Sequence, residues 1–307
     1  MWESIYHSFV PNRSTWFLML GALGPLLLFY LLETRGKKRR EKVESPPQEE
    51  KLLRPPGHSL ALLLDTIWEE FTLKFLVSIG CGVLSSLFWP MVLVFLNAPQ
   101  YRVWALVPLA PALALVFLTG HYLSEARTLL GKARNYRLGL RGEQAVAEAL
   151  TEVASAGYRV FHDLPGGDTW NIDHVVVGPP GVFVIETKAR SRRAVTGNQP
   201  AHKVGYDVET LYFPTGEDRQ AIPQARRNAR WVAEYLTRKT GERVEAAPMV
   251  VLPGWYVERA TADTKGIAVM NATYLKKYLA NQPSQLPAAQ VRRIITALDD
   301  KCRDIQF

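Results

Sequence analysis

The chain has 307 residues, 37 Lys and Arg against 29 Asp and Glu, a formal charge of +8, and 48% hydrophobic residues. This moderate basic excess suits a polyanionic partner or a lipid surface, without choosing between them. Two cysteines, Cys81 and Cys302, exclude a disulfide framework and a C-x-x-C zinc ligand set.

The first 124 residues read as a membrane region. Runs free of Asp, Glu, Lys and Arg over about 15–32, 75–96 and 103–123 each reach the length that crosses the hydrocarbon layer. Gly24, Pro25, Pro90, Pro108 and Pro111 inside them do not break the reading, because neighbouring groups in a membrane satisfy the freed backbone. Arg35, Lys37, Lys38, Arg39, Arg40 and Lys42 follow the first run, where positive charge marks the cytoplasmic side. The expectation is a multi-pass protein of the cytoplasmic membrane with its N-terminus outside, a cytoplasmic loop over 33–74, and a helical hairpin returning the chain to the cytoplasm. Within the loop, the prolines and glutamates of 41–57 read as flexible, and 60–70 as an interfacial helix.

A linker over 125–136 then precedes an α/β domain over 137–307. Leu138 to Ala156 is rich in Ala, Glu and Leu and is stopped by Gly157, the signature of a helix and its C-terminal signal. Its stripe of Val146, Ala147, Leu150 and Val153 also holds Glu143, which is costly to bury unless paired or metal-bound. A first-turn position, wet and favoured by the helix dipole, is the other reading of Glu143.

Asp173 to Lys188 reads as a β-hairpin turning at Gly178-Pro179-Pro180-Gly181. If Val177 opposes Val182, then Val175 opposes Val184 and Asp173 opposes Glu186, with Lys188 on the same face. Two facing carboxylates repel, and a divalent cation is the natural compensation; oxygen ligands suit Mg²⁺ or Mn²⁺. Lys188 is placed to orient or deprotonate an attacking water, or to stabilise charge on a phosphate. His162 and His174 invite zinc, but His174 alternates away from Asp173 and no third ligand is spaced to help.

Arg190, Arg192 and Arg193 follow the second arm, and Arg226, Arg227 and Arg230 lie on a helix over about 223–239; both clusters are placed to hold phosphates. Gln224, Asn228, Trp231 and Tyr235 share a strip of that helix, the two aromatics reading as packing residues. Met249–Leu252 and Ile267–Met270 read as buried strands, and Tyr274–Leu279 and Ala288–Leu298 as closing helices. Neither a G-x-x-x-x-G-K-[ST] loop nor a G-x-S-x-G elbow occurs.

Gly139-x-x-Gly142-Glu143, then Asn171 to Gly178, then Gly181 to Lys188, together with Gln224, resemble the nuclease-related domain, NERD, a branch of the PD-(D/E)xK phosphodiesterase superfamily. The resemblance covers roughly 137–250. It implies a restriction-endonuclease-like α/β core with a central mixed sheet flanked by helices, and a metal site at Glu143, Asp173, Glu186 and Lys188. It also implies that Gln224 supports a water or the substrate. The expectation that follows is a membrane-anchored, Mg²⁺- or Mn²⁺-dependent nuclease, acting on DNA rather than RNA. Asp173 and Glu186 would bind the metal with the Thr187 carbonyl, and Glu143 a second ion or a water. The alternative is a catalytically inactive module that binds nucleic acid or a protein at the membrane.

Overall fold

The computed structural model describes residues 51–167, 170–191, 202–259 and 266–305. The first expected span, the basic cluster at 35–42, and Arg192 and Arg193 lie outside the described residues. The chain divides into two compact units, one taking in residues 66–133 and the other 49–65 together with 134–306.

In the first unit two helices run antiparallel, α1 (His58–Asn97) and the first part of α2 (Leu106–Ser155), joined by a 3-10 turn over Pro99–Ala105. Polar contacts mark the pairing at successive levels. Ser85 Oγ donates to the Ala112 carbonyl at 3.0 Å, Ser78 Oγ to the Thr119 carbonyl at 3.2 Å, and Lys74 pairs with Glu125 at 2.9 Å. Small hydroxyl side chains bonded to a neighbouring backbone let two apolar helices approach closely. Both helices are long and apolar enough to cross a membrane, and little of either apolar window is buried within the protein. Pro90 and Pro111 lie inside them without ending them.

Two sequence boundaries differ from expectation. The interfacial helix and second span merge into α1, and the linker over 125–136 is helical, so that α2 runs unbroken to Ser155. The cause is local: 125–137 contains mostly strong helix formers, and one glycine among them, Gly131, costs only about 1 kcal/mol. Gly157, at φ +94°, stops the helix where expected.

The second unit is mixed α/β. Its main sheet comprises β2 (Arg159–Pro165), β3 (Asn171–Gly178), β4 (Gly181–Thr187), β8 (Ala246–Val251) and β10 (Ala268–Met270), in the order β10-β8-β4-β3-β2. β2, β3 and β4 pair antiparallel, whereas β8 joins β4 and β10 joins β8 in parallel. A smaller sheet holds β5 (Lys203–Tyr206), β6 (Leu211–Phe213), β7 (Gly216–Asp218) and β9 (Tyr256–Arg259). The end of α2 and α4 (Leu275–Ala280) cover one face of the main sheet, where Val146, Leu150, Leu275 and Leu279 meet Val176, Phe183 and Ile185. The other face carries α3 (Ala221–Thr240) and α5 (Ala288–Cys302), whose Val232, Leu236, Ile294 and Leu298 pack on Val175, Val177, Val182 and Val184. The odd–even alternation of β3 therefore splits the core between the two faces.

The β3–β4 register is the expected one, with Val177 opposite Val182, Val175 opposite Val184, and Gly178 opposite Gly181. His174 falls on the face away from Asp173 and meets His162 on β2, Nδ1 to Nδ1 at 2.8 Å. Burial lowers both imidazoles, His162 to about 4, so each is neutral and the pair shares one proton in a hydrogen bond across the strands.

Candidate metal and phosphodiester site

The hairpin brings its acids to the open end of β3 and β4. Asp173 Oδ2 accepts the Thr187 N–H at 2.6 Å, so its carboxylate takes over the strand pairing where the backbone ladder stops. Glu186 is 2% exposed, and both its oxygens are engaged: Oε1 with the Lys188 ammonium at 3.1 Å, Oε2 with Asn228 Nδ2 at 3.1 Å. Lys188 Nζ also donates to Gln224 Oε1 at 3.3 Å. Gln224 and Asn228 are four residues apart on α3, one helical turn, so a single helix face braces both Glu186 and Lys188.

Glu143 arrives from the other side of the sheet and sits inside α2, not in a first turn; it is 7% exposed. Gly142 explains the approach: a β-carbon there would lie 2.5 Å from Ala189 Cβ and 3.5 Å from Thr187 Cγ2. Glycine lets the helix backbone press against the chain leaving β4, which carries Glu143 toward the hairpin acids.

Electrostatically the site is short of positive charge. Burial, then Asp163 and Glu186, push Glu143 up to about 8. Asp173, partly exposed by surface but densely surrounded at its carboxyl, is raised well above the usual range by burial and then by Glu186 and Glu143. Glu186 is raised by burial despite its ion pair with Lys188. Burial alone would lower Lys188, but Glu186, then Asp173 and Asp218, outweigh it and hold the ammonium above the ordinary lysine value. Lys188 therefore keeps its proton, which suits it to orient a water or offset phosphate charge and not to act as a base.

The donors fit a hard divalent cation. They are oxygens only, Glu143 Oε2 is buried without a hydrogen-bond partner, and Thr187 Oγ1 at the end of β4 is likewise unpartnered. Among the described residues no three His, Cys, Asp or Glu side chains converge as a ready-made ligand cluster. Mg²⁺ needs only one or two carboxylates, with waters and substrate oxygens filling the remaining positions.

The arginines divide. Arg190 donates to the Gly216 and Glu217 carbonyls at 3.3 and 3.5 Å and stacks over Phe213, and Arg226 donates to the Val208 carbonyl at 3.2 Å. Both hold the small sheet in place. Arg227 and Arg230 are exposed on α3. Trp231 and Tyr235 stack in parallel at 5.3 Å against the α3–α5 core, as the packing reading expected.

Several residues of the site have no counterpart in the sequence reading. Asp218 caps α3, its Oδ1 accepting from Gln220 N and Ala221 N at 2.9 and 3.0 Å, and its charge reaches Glu186 and Lys188. Asn228 was on the strip with Gln224, and its four-residue spacing was the available signal. The segment before α1 is the largest addition. Read as a flexible loop, it instead packs into the unit: β1 (Leu52–Leu53) pairs with β11 (Arg303–Ile305), and Gly57 lies against the Glu143 carboxyl. Asp163, 3% exposed and with φ +49°, accepts from Ser59 Oγ at 2.6 Å and pairs with Arg54 at 3.0 Å.

These features define a class: an α/β domain with an acidic, oxygen-donor site and a paired lysine at the end of a central hairpin. Residues 138–253 match the family model of the nuclease-related domain, NERD, and this part of the chain is a nuclease-related domain. An uncharacterized protein of Bacillus anthracis is 41% identical over 54 residues, 16% of this chain and 26% of that protein. The chain thus covers about a quarter of that relative's length. No solved structure matches the chain significantly.

Arg54→Ala should destabilise the domain by about 3 kcal/mol in chemical unfolding, because it strands a buried carboxylate. An unchanged midpoint would show that the Arg54–Asp163 pair is dispensable to the fold.

Proposed function

We propose that this protein is a membrane-anchored, divalent-metal-dependent nuclease that hydrolyses phosphodiester bonds in the cytoplasm. The observation that carries the proposal is the convergence of Asp173, Glu186 and Lys188, braced by Gln224 and Asn228, at one end of the hairpin. Asp173 and Glu186, with the Thr187 carbonyl, would hold Mg²⁺ or Mn²⁺, and Glu143 would take a second ion or a water. When bound, the metal would supply positive charge to the phosphate and lower the pKa of water. Asn228 keeps Glu186 aimed at the site. Lys188, anchored by Glu186 and Gln224, orients water and offsets charge on the phosphate oxygens. Arg227 and Arg230 hold neighbouring phosphates of a DNA strand, which carry no base identity.

For the membrane we propose that α1 and the first part of α2 cross the cytoplasmic membrane as a hairpin, after a further span over 15–32, leaving the N-terminus outside. Their exposed apolar surface and the basic cluster at 35–42 support this orientation. A reporter fused after Arg134 should read as cytoplasmic and one inserted between Asn97 and Gln100 as external; the reverse pattern would remove cytoplasmic nucleic acid as substrate.

The catalytic test is incubation of the purified chain with labelled DNA and RNA, with Mg²⁺, Mn²⁺ or chelator. Asp173→Ala and Glu186→Ala should abolish metal-dependent cleavage. Lys188→Ala should lower kcat by roughly a hundred-fold, the scale for losing one preorganised electrostatic group, with metal affinity less affected. Salt-sensitive binding without cleavage under every metal condition would favour the inactive binding module instead.

A further inference from the structure

One aromatic side chain beside the site is not absorbed by the core. Trp170 is 36% exposed and immediately precedes β3. Asp173 lies three residues along that strand, about 10 Å away at the rise of a β-strand. The indole is held in a defined place. Gly166 N and Gly167 N both donate to the Trp170 carbonyl, at 3.0 and 3.3 Å. The ring lies so close over these two glycines that a β-carbon at Gly166 would collide with its six-membered ring, and one at Gly167 would come within 2.9 Å of Nε1. Its other neighbour is Trp231, met edge-to-face at 5.4 Å, which in turn stacks on Tyr235. Trp231 stands three residues after Asn228, the partner of Glu186. A three-ring ladder thus runs from the core to the surface and ends on Trp170.

The helix that carries Trp231 also carries positive charge. Arg227 and Arg230 are exposed on the same helix, four residues and one residue before Trp231. Burial of an indole in this position needs an apolar, planar occupant whose neighbours are anionic. A nucleobase attached to a phosphate chain has that chemistry, whereas paired bases inside a duplex keep their faces covered.

We propose that Trp170, supported by Gly166, Gly167 and Trp231, is a stacking platform for an unpaired base adjacent to the phosphodiester held at Asp173 and Glu186. It makes single-stranded or frayed nucleic acid the preferred substrate. This rests on the nuclease reading of the site and specifies its substrate class. Base–aromatic stacking is tolerant of sequence because every base has a π-face, so the platform selects strandedness and not identity.

The test compares a single-stranded oligonucleotide with its duplex, using wild type, Trp170→Ala, Trp170→Phe and Gly166→Ala. Trp170→Ala should raise KM for the single strand by about ten-fold, the scale of one base–aromatic stack, with kcat and the duplex KM within two-fold of wild type. Trp170→Phe should recover most of the loss, and Gly166→Ala, which displaces the ring without removing it, should reproduce the loss. In parallel, 2-aminopurine placed one or two nucleotides from the cleaved bond should be quenched on binding to wild type and not to Trp170→Ala. If wild type cleaves both substrates and all four proteins share the same single-strand KM and quenching, the platform is overturned while the nuclease reading stands. If wild type neither binds nor cleaves any nucleic acid, the nuclease reading fails and the platform fails with it.

Discussion

Crowding of carboxylates is the constraint from which the organisation of the domain follows. Glu143, Asp173 and Glu186 are each held above the ordinary pKa by burial and, for Glu143 and Asp173, by the other acids. Lys188 is the cation bonded directly to this group, through Glu186. Carboxylates are among the costliest groups to bury, and their gathering here marks the candidate functional site. Raised pKa values also mean that cation binding and proton binding compete for the same oxygens.

The surrounding elements can be understood as means of holding these groups together. Gly142 allows α2 to touch the end of β4, Asp173 bonds the Thr187 N–H where the ladder stops, and one turn of α3 supplies both Gln224 and Asn228. Asp218 fixes the start of that helix through its cap. Residues 51–65 close the unit by pairing with its last strand and clasping Asp163, whose left-handed backbone is the one positive-φ non-glycine among the described residues. Such a conformation persists where surrounding contacts over-determine it, and Arg54 and Ser59 provide them.

What the sequence made legible was local. The two-residue turn in Gly-Pro-Pro-Gly between two apolar arms was enough to set the hairpin register, because loop length fixes which residues oppose one another. The same register placed Asp173, Glu186 and Lys188. Long-range features left little trace: Arg54 lies 109 residues from Asp163, and two-residue β1 has no periodicity to detect. The short strands of the small sheet, three or four residues each, were missed for the same reason. Asp218 and Asn228 were readable in principle from capping and helical spacing. Charge counts cannot reveal that Arg190 and Arg226 are turned onto backbone carbonyls.

The proposal at the centre is that Asp173 and Glu186 hold a divalent cation whose binding displaces the proton that burial favours on Glu143. Calorimetric titration of Mn²⁺ into the purified chain at pH 7, in two buffers of different ionisation enthalpy, tests it most directly. The account predicts one saturable event that releases protons, with the release reduced in Glu143→Gln and binding lost in Asp173→Asn. Binding without proton release, or equal binding by the Asp173→Asn variant, would contradict it.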